Sequence, residues 1–151
     1  MIYDFHVYRR DGRCLYRATY KKGGGKGDLE EEEERSKLIF GMSFSLKDMV
    51  SQLTPNSRSC HVTTVKTPKA TLHTYETPTG FRFVTFTDPS IQSMQQHLKH
   101  IYGLWVEHVV KCPLTVHSET RDGRDGGIVD IAKTDFQPLL TKYVENIPGF
   151  R

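Results

Sequence analysis

The sequence predicts an α+β fold, a five-stranded antiparallel sheet sandwiched by helices in the order β-β-α-β-β-β-α-α. Three observations carry this. Five short stretches suit strands, the clearest of them alternating side chains with a period of two. Longer stretches repeat apolar residues every three or four positions, as amphipathic helices do. Gly, Pro and Asp-Gly signals separate them. At 151 residues and 36% hydrophobic content the chain is long enough for one core, so a single domain over 1–151 is expected.

Tyr3, Phe5 and Val7 alternate with Ile2, Asp4 and His6, a half-buried strand. Asp11-Gly12 marks a structural turn. Cys14, Tyr16, Ala18 and Tyr20 then alternate with Arg13, Leu15, Arg17 and Thr19, completing a hairpin. "KKGGGKGDL", 21–29, reads as a flexible glycine-rich loop. From Glu30 the period becomes helical: Leu38, Met42, Leu46, Met49 and Leu53 form one apolar stripe, assigned to the core. Phe40 and Phe44, four apart, lie on another face and suggest a second contact surface. The helix should stop near Thr54-Pro55.

Strands are expected at about 60–66, 69–77 and 81–87, the last two joined by a turn across Pro78-Thr79-Gly80 with Gly80 at positive φ. Asp88-Pro89 suits a helix start, an acidic cap followed by proline at the first helical position. Ile91, Met94, Leu98, Ile101, Tyr102, Trp105 and Val109 line that helix, which should end near Cys112-Pro113. A polar insertion at 115–133 precedes a last helix capped by Asp135, with Phe136, Leu139, Leu140, Tyr143 and Ile147 as its apolar face.

Charge is segregated along the chain. Residues 1–26 carry +5, 28–34 carry −6 and 35–151 carry +4, which closes at the net +3. A basic hairpin beside an acidic run reads as solvated charge, since nucleic-acid-binding domains are more basic and interleave stacking aromatics; no nucleic acid is expected. No window approaches the roughly 18 apolar residues of a membrane span, and the charges of "MIYDFHVYRR" follow its apolar run, the reverse of a secretory leader. Three cysteines, Cys14, Cys60 and Cys112, in no C-x-x-C pair suit reduced thiols, and a soluble intracellular protein is the expectation.

Catalytic patterns fail one by one. "GGGKG" lacks the hydroxyl after lysine that a phosphate loop needs, and acidic residues follow it. His97, His100 and His108 flank one helix without a completing carboxylate and read as surface histidines. Cys112 sits at a helix end, where the dipole disfavours a thiolate, and Ser43 and Ser45 lack a nucleophile elbow. Glu30–Glu34 point in different directions along a helix and lack the spacing of a calcium loop. The sequence yields no catalytic residue, metal site or cofactor.

Four stretches carry a resemblance: "VYRRDGRCLY" (7–16), "KLIFGMSFSLKDMVSQLTP" (37–55), "LHTYETPTGFRFVTFTDPS" (72–90) and "HIYGLWVEHVVKCPL" (100–114). In order and spacing the chain resembles the small Bet-five-type subunits of the transport protein particle (TRAPP) complex, a tethering and nucleotide-exchange assembly of the early secretory pathway. The acidic "GGGKGDLEEEEE" loop and "RDGRDGG" depart from that pattern. The resemblance implies a longin-like (SNARE-like) fold with two helices on one sheet face and one on the other. It implies partners, namely a related longin-like subunit, Bet-three-type subunits and, through the assembly, a Rab-family GTPase, with no catalytic side chain of the chain's own. It also implies a cytoplasmic location, peripheral at the cis-Golgi and endoplasmic reticulum, with membrane association only through the complex.

Phe40, Phe44, Lys47 and Asp48 on the first helix, and Cys60, Val62, Thr64 and Lys66 on an exposed edge strand, are the expected partner-binding residues. The competing readings are a longin-like small chain of another trafficking assembly, of coat-adaptor or SNARE type, and a small enzyme of another kind. A SNARE would continue into a heptad helix and a membrane anchor, whereas the sequence ends at Arg151.

Overall fold

The computed structural model describes residues 1–20, 29–54, 61–112 and 134–147, so the glycine-rich loop up to residue 28, Cys60 and the 115–133 insertion lie outside the described residues. Within Ile2–Gln95, a compact unit, five strands form one sheet: β1 Ile2–Tyr8, β2 Cys14–Thr19, β3 Thr64–Lys66, β4 Thr71–Glu76 and β5 Arg82–Thr87. All pairings are antiparallel and the order is β2-β1-β5-β4-β3, which puts β2 and β3 at the edges. The long helix α1, Leu29–Leu53, is part of the same unit.

Two of the three hairpins, β1–β2 and β4–β5, rest on glycine. Gly12 has φ +90° and Gly80 φ +92°, a region that costs a side chain about 1–2 kcal/mol. In the first turn the Gly12 amide donates to the Arg9 carbonyl at 3.0 Å, and the Arg13 amide to Asp11 Oδ1 at 3.0 Å. In the second, Gly80 donates to the Thr77 carbonyl at 3.0 Å, and the Thr77 hydroxyl accepts from the Phe81 amide at 3.0 Å.

The expected half-buried first strand is buried on both faces, Phe5 and Val7 on one and Asp4, His6 and Tyr8 on the other. Asp4 and His6 are therefore interior polar residues beneath α1, on the same face as Tyr8. Tyr8, Val84, Leu72 and Ile39 of α1 form the apolar centre, with Phe40, Val65 and Phe86 packed against it; each full burial contributes roughly 1.5–3 kcal/mol. The Tyr8 hydroxyl donates to the Ser36 carbonyl at 3.0 Å and accepts from Ser36 Oγ at 3.2 Å.

Two boundaries differ from expectation. The 60–66 strand shrinks to Thr64–Lys66, with His61–Thr63 outside regular structure, although the Thr74 amide still donates to the Thr63 carbonyl at 2.9 Å. The helix expected at Asp88-Pro89 begins instead at Gln95. There the Asp88 carboxylate accepts from the Tyr3 hydroxyl and the Asp88 carbonyl accepts from the Ile91 amide at 3.1 Å, so the dipeptide makes a turn rather than a cap.

Gln96–Arg151, with Met1, groups as a second compact unit. Helix α2, Gln95–Trp105, runs into a π-helical turn, Val106–Val110, closed by the Lys111 amide on the Val106 carbonyl at 2.9 Å. Leu98, Ile101, Trp105 and Val109 are its buried stripe. Helix α3, Phe136–Glu145, buries Phe136, Leu140 and Val144, and the Trp105 and Phe136 rings meet edge-on at 5.1 Å. Asp135 precedes α3 but makes no side-chain cap bond. His97 hydrogen-bonds the Tyr143 hydroxyl at 2.9 Å and His100 stacks on that ring at 4.4 Å, which occupies the histidine flank with helix packing.

Candidate protein-interaction surface

Helix α1 lies with its polar side in and its apolar stripe out. Leu38, Met42, Met49 and Leu53, expected in the core, are 67%, 42%, 59% and 75% exposed. At 3.6 residues per turn they fall within about 60° of one another, a continuous apolar flank. Ser36, Ile39 and Ser43 are the buried positions instead. The reason lies in the sheet beneath, whose face toward α1 carries Asp4, His6, Thr74, Glu76 and Arg82 beside its apolar residues. Polar groups taken out of water need partners, and for Asp4, Glu76 and Arg82 α1 supplies them. Arg35 pairs with Asp4, Glu32 with Arg17 at 2.7 Å, and Lys47 with both Glu76 oxygens at 2.8 Å.

The expected partner residues separate under this geometry. Phe40 is half-buried: its ring lies 5.5 Å from that of Tyr8, under the Arg82 guanidinium at 5.3 Å, and against Gly12, where a Cβ would come within 2.8 Å of it. It is a wall of the core, which corrects its assignment to a face clear of the fold. Phe44, 58% exposed, stacks on Phe40 at 6.3 Å and continues outward. Lys47 is engaged with Glu76, and Asp48 is exposed, accepting from Gln52 Nε2 at 3.0 Å. Thr64 and Lys66 pair with His73 and Thr71 on the edge strand β3, and the Val62 carbonyl accepts from the Thr74 hydroxyl. The apolar flank is the element that sequence reasoning placed wrongly. Its signal was the stripe itself, which periodicity locates without saying which way it faces.

Between α1 and the β3–β4 end of the sheet is a cavity of about 140 Å³, lined among others by Ser43, Lys47, His61, Thr63, Glu76 and Arg82. Burial alone would push the Glu76 carboxyl up; Lys47, Arg82 and His61 outweigh it and hold the group below its ordinary value. Burial pushes the Cys14 thiol up, which keeps it protonated and unreactive. Burial, then the nearby Arg35 and Arg17, lowers His6 to about 4, so the ring is neutral. Among the described residues neither of its nitrogens has a hydrogen-bond partner, and the ring stacks on Tyr8 at 5.8 Å. Among the described residues no group of three His, Cys, Asp or Glu side chains is placed to hold a metal ion, and no helix is long and apolar enough to cross a membrane. The arrangement presents surfaces.

Comparison with known proteins gives consistent matches. A family model described as the Sybindin-like family matches residues 2–120. The chain is 32% identical over 158 residues to trafficking protein particle complex subunit 1 of Dictyostelium discoideum, covering 99% of both chains. It is 32% identical over 150 residues to the Homo sapiens protein of that name, covering 99% of this chain and 95% of the other. It is 37% identical over 137 residues to transport protein particle subunit bet5 of Schizosaccharomyces pombe, with 84% and 86% covered.

Proposed function

Because the chain belongs to the Sybindin-like family, with the sybindin or longin-like fold of a five-stranded antiparallel sheet and helices, we propose that it is a core subunit of a TRAPP complex in vesicle trafficking. The observation that carries this is the nearly full-length match to curated subunits of that complex, 99% and 95% of whose lengths have a counterpart here. The outward apolar flank of α1 supports it physically. Apolar side chains this exposed in one stripe suit a surface that another chain covers.

The partners are other TRAPP subunits. A related longin-like subunit lies on the α1 flank and the β3 edge, where unpaired backbone groups of an edge strand favour docking, and Bet-three-type subunits complete the core. The assembly then exchanges nucleotide on a Rab-family GTPase at the early secretory compartments, to which it binds peripherally. The chain supplies surface and no catalytic side chain. Exchange is differential binding: a surface that favours the nucleotide-free GTPase weakens nucleotide by the same coupling free energy.

The test is affinity purification of the tagged chain from its own cells. Recovery of a defined set of TRAPP subunits is expected, and recovery of the chain alone, or with coat-adaptor chains, overturns the assignment. Added alone to a Rab GTPase loaded with fluorescent nucleotide, the chain should leave release at its intrinsic rate. Acceleration by the lone chain would transfer the exchange activity to it.

A further inference from the structure

We propose that the cavity beneath α1 is a receptor for a single carboxylate, presented by an acidic side chain of the protein that docks on this face. The docking rests on the assembly reading above; the carboxylate chemistry does not. At about 140 Å³ the cavity is well below the 300–1,000 Å³ of sites that take whole cofactors or drug-sized ligands, and suits the tip of one side chain.

Its polarity selects the occupant. Arg82 is nine-tenths buried, yet among the described residues its guanidinium, with five donor hydrogens, makes one side-chain hydrogen bond, to Ser43 Oγ at 3.2 Å, and stands 3.6 Å from Glu76. The Phe40 ring beneath holds it in place. Apart from the His61 imidazole at the rim, Lys47 is the second cation and Glu76 the single anion among the described lining residues, so two fixed positive groups face one negative. One net positive charge remains, matched by one carboxylate. A phosphate dianion would overshoot that charge and meet Glu76 at close range. An amide would leave the buried charge uncompensated.

The surroundings say where the carboxylate comes from. Gln95 Nε2 donates to the Thr63 and Thr74 carbonyls at 3.1 and 3.0 Å, which ties the cavity wall to the chain leading into β3. His61 and Thr63, on the rim, are exposed and run directly into the edge strand. A chain laid along β3 can therefore lower an acidic side chain into the opening.

The experiment is a titration of the full, isotope-labelled chain followed by amide chemical shifts, with N-acetyl-glutamate N-methylamide, its glutamine analogue and inorganic phosphate as probes. The glutamate probe should bind at roughly millimolar strength, moving the Ser43 and Thr63 amides and the Gln95 side-chain amide, while the other two leave them unmoved. Glu76→Gln should tighten the glutamate probe about tenfold and admit phosphate, and Lys47→Met should weaken the glutamate probe by a similar factor. Equal response to the glutamine analogue, no response to any probe, or weaker binding by a folded Glu76→Gln chain overturns the proposal. The wild-type titration decides the matter even where a variant fails to fold. Because the chain is used alone, a negative result rejects the carboxylate site and leaves the assembly reading to the co-purification test.

Discussion

Replacing Leu38 and Met49 together by Gln separates assembly from folding on the α1 flank. Gln nearly matches Leu and Met in helix propensity, so the helix itself is little disturbed. Leu38 is 67% and Met49 59% exposed in the chain alone. Full burial of either side chain contributes roughly 1.5–3 kcal/mol, so a partner that covers the exposed portion gains about 1–2 kcal/mol from each. The double variant should therefore lose about 2–4 kcal/mol of binding, between about thirtyfold and a thousandfold in affinity, while thermal stability stays within about 1 kcal/mol. The assay is capture of the purified related longin-like subunit, with thermal unfolding of the lone chain beside it. Normal capture by the double variant would move the interface elsewhere, and a collapsed melting temperature would show that the flank is covered within the fold.

Phe40→Ala should behave in the opposite way, costing about 2–3 kcal/mol of stability because the ring fills the space between Tyr8, Gly12 and Arg82; unchanged thermal unfolding would return the residue to the surface. Gly80→Val should cost about 1–2 kcal/mol and lower the melting temperature, since φ is +92° and a Cβ would stand 3.0 Å from that of Arg10. The lowered His6 sets a pH dependence. Its neutral form supports folding fully above the unfolded value of about 6.5, and that support fades as pH falls toward about 4. Stability should drop by about 2 kcal/mol between about pH 7.5 and pH 5, and His6→Leu should flatten much of that slope in urea titrations. His73, also lowered by burial and by Lys66, adds a smaller loss of the same sign. The share due to Glu76, held below its ordinary value, disappears only at more acidic pH, as its carboxylate is protonated.

Much of the fold was legible because local chemistry and tertiary structure agree. Asp11-Gly12 and Pro78-Thr79-Gly80 make the turns their residues favour, and the apolar spacing from Leu98 to Val109 is the buried stripe of its helix. Legibility failed where polar residues face inward. Periodicity alone assigns the apolar side of α1 to the core, but the sheet offers Asp4, Arg82 and Glu76 there, and only their pairing with Arg35, Ser43 and Lys47 makes the reversed orientation favourable. Such pairs join residues from 29 to 39 positions apart, beyond the reach of any periodicity. Asp88-Pro89 failed similarly, because Tyr3, 85 residues away, takes the carboxylate that a cap would use. The residues of the exposed flank were thus found and given the wrong address.

The outward face of α1 also bears on how the cell counts this protein. A chain that carries Leu38, Met42, Met49 and Leu53 uncovered displays the same signal as a misfolded one, an apolar stripe open to chaperones and to the degradation machinery. Synthesis in excess of its partners would then leave orphan copies that turn over quickly, while assembled copies persist. Abundance would follow the scarcest subunit of the assembly rather than the transcript of this one, and stoichiometry would be enforced by the lifetime of an exposed helix.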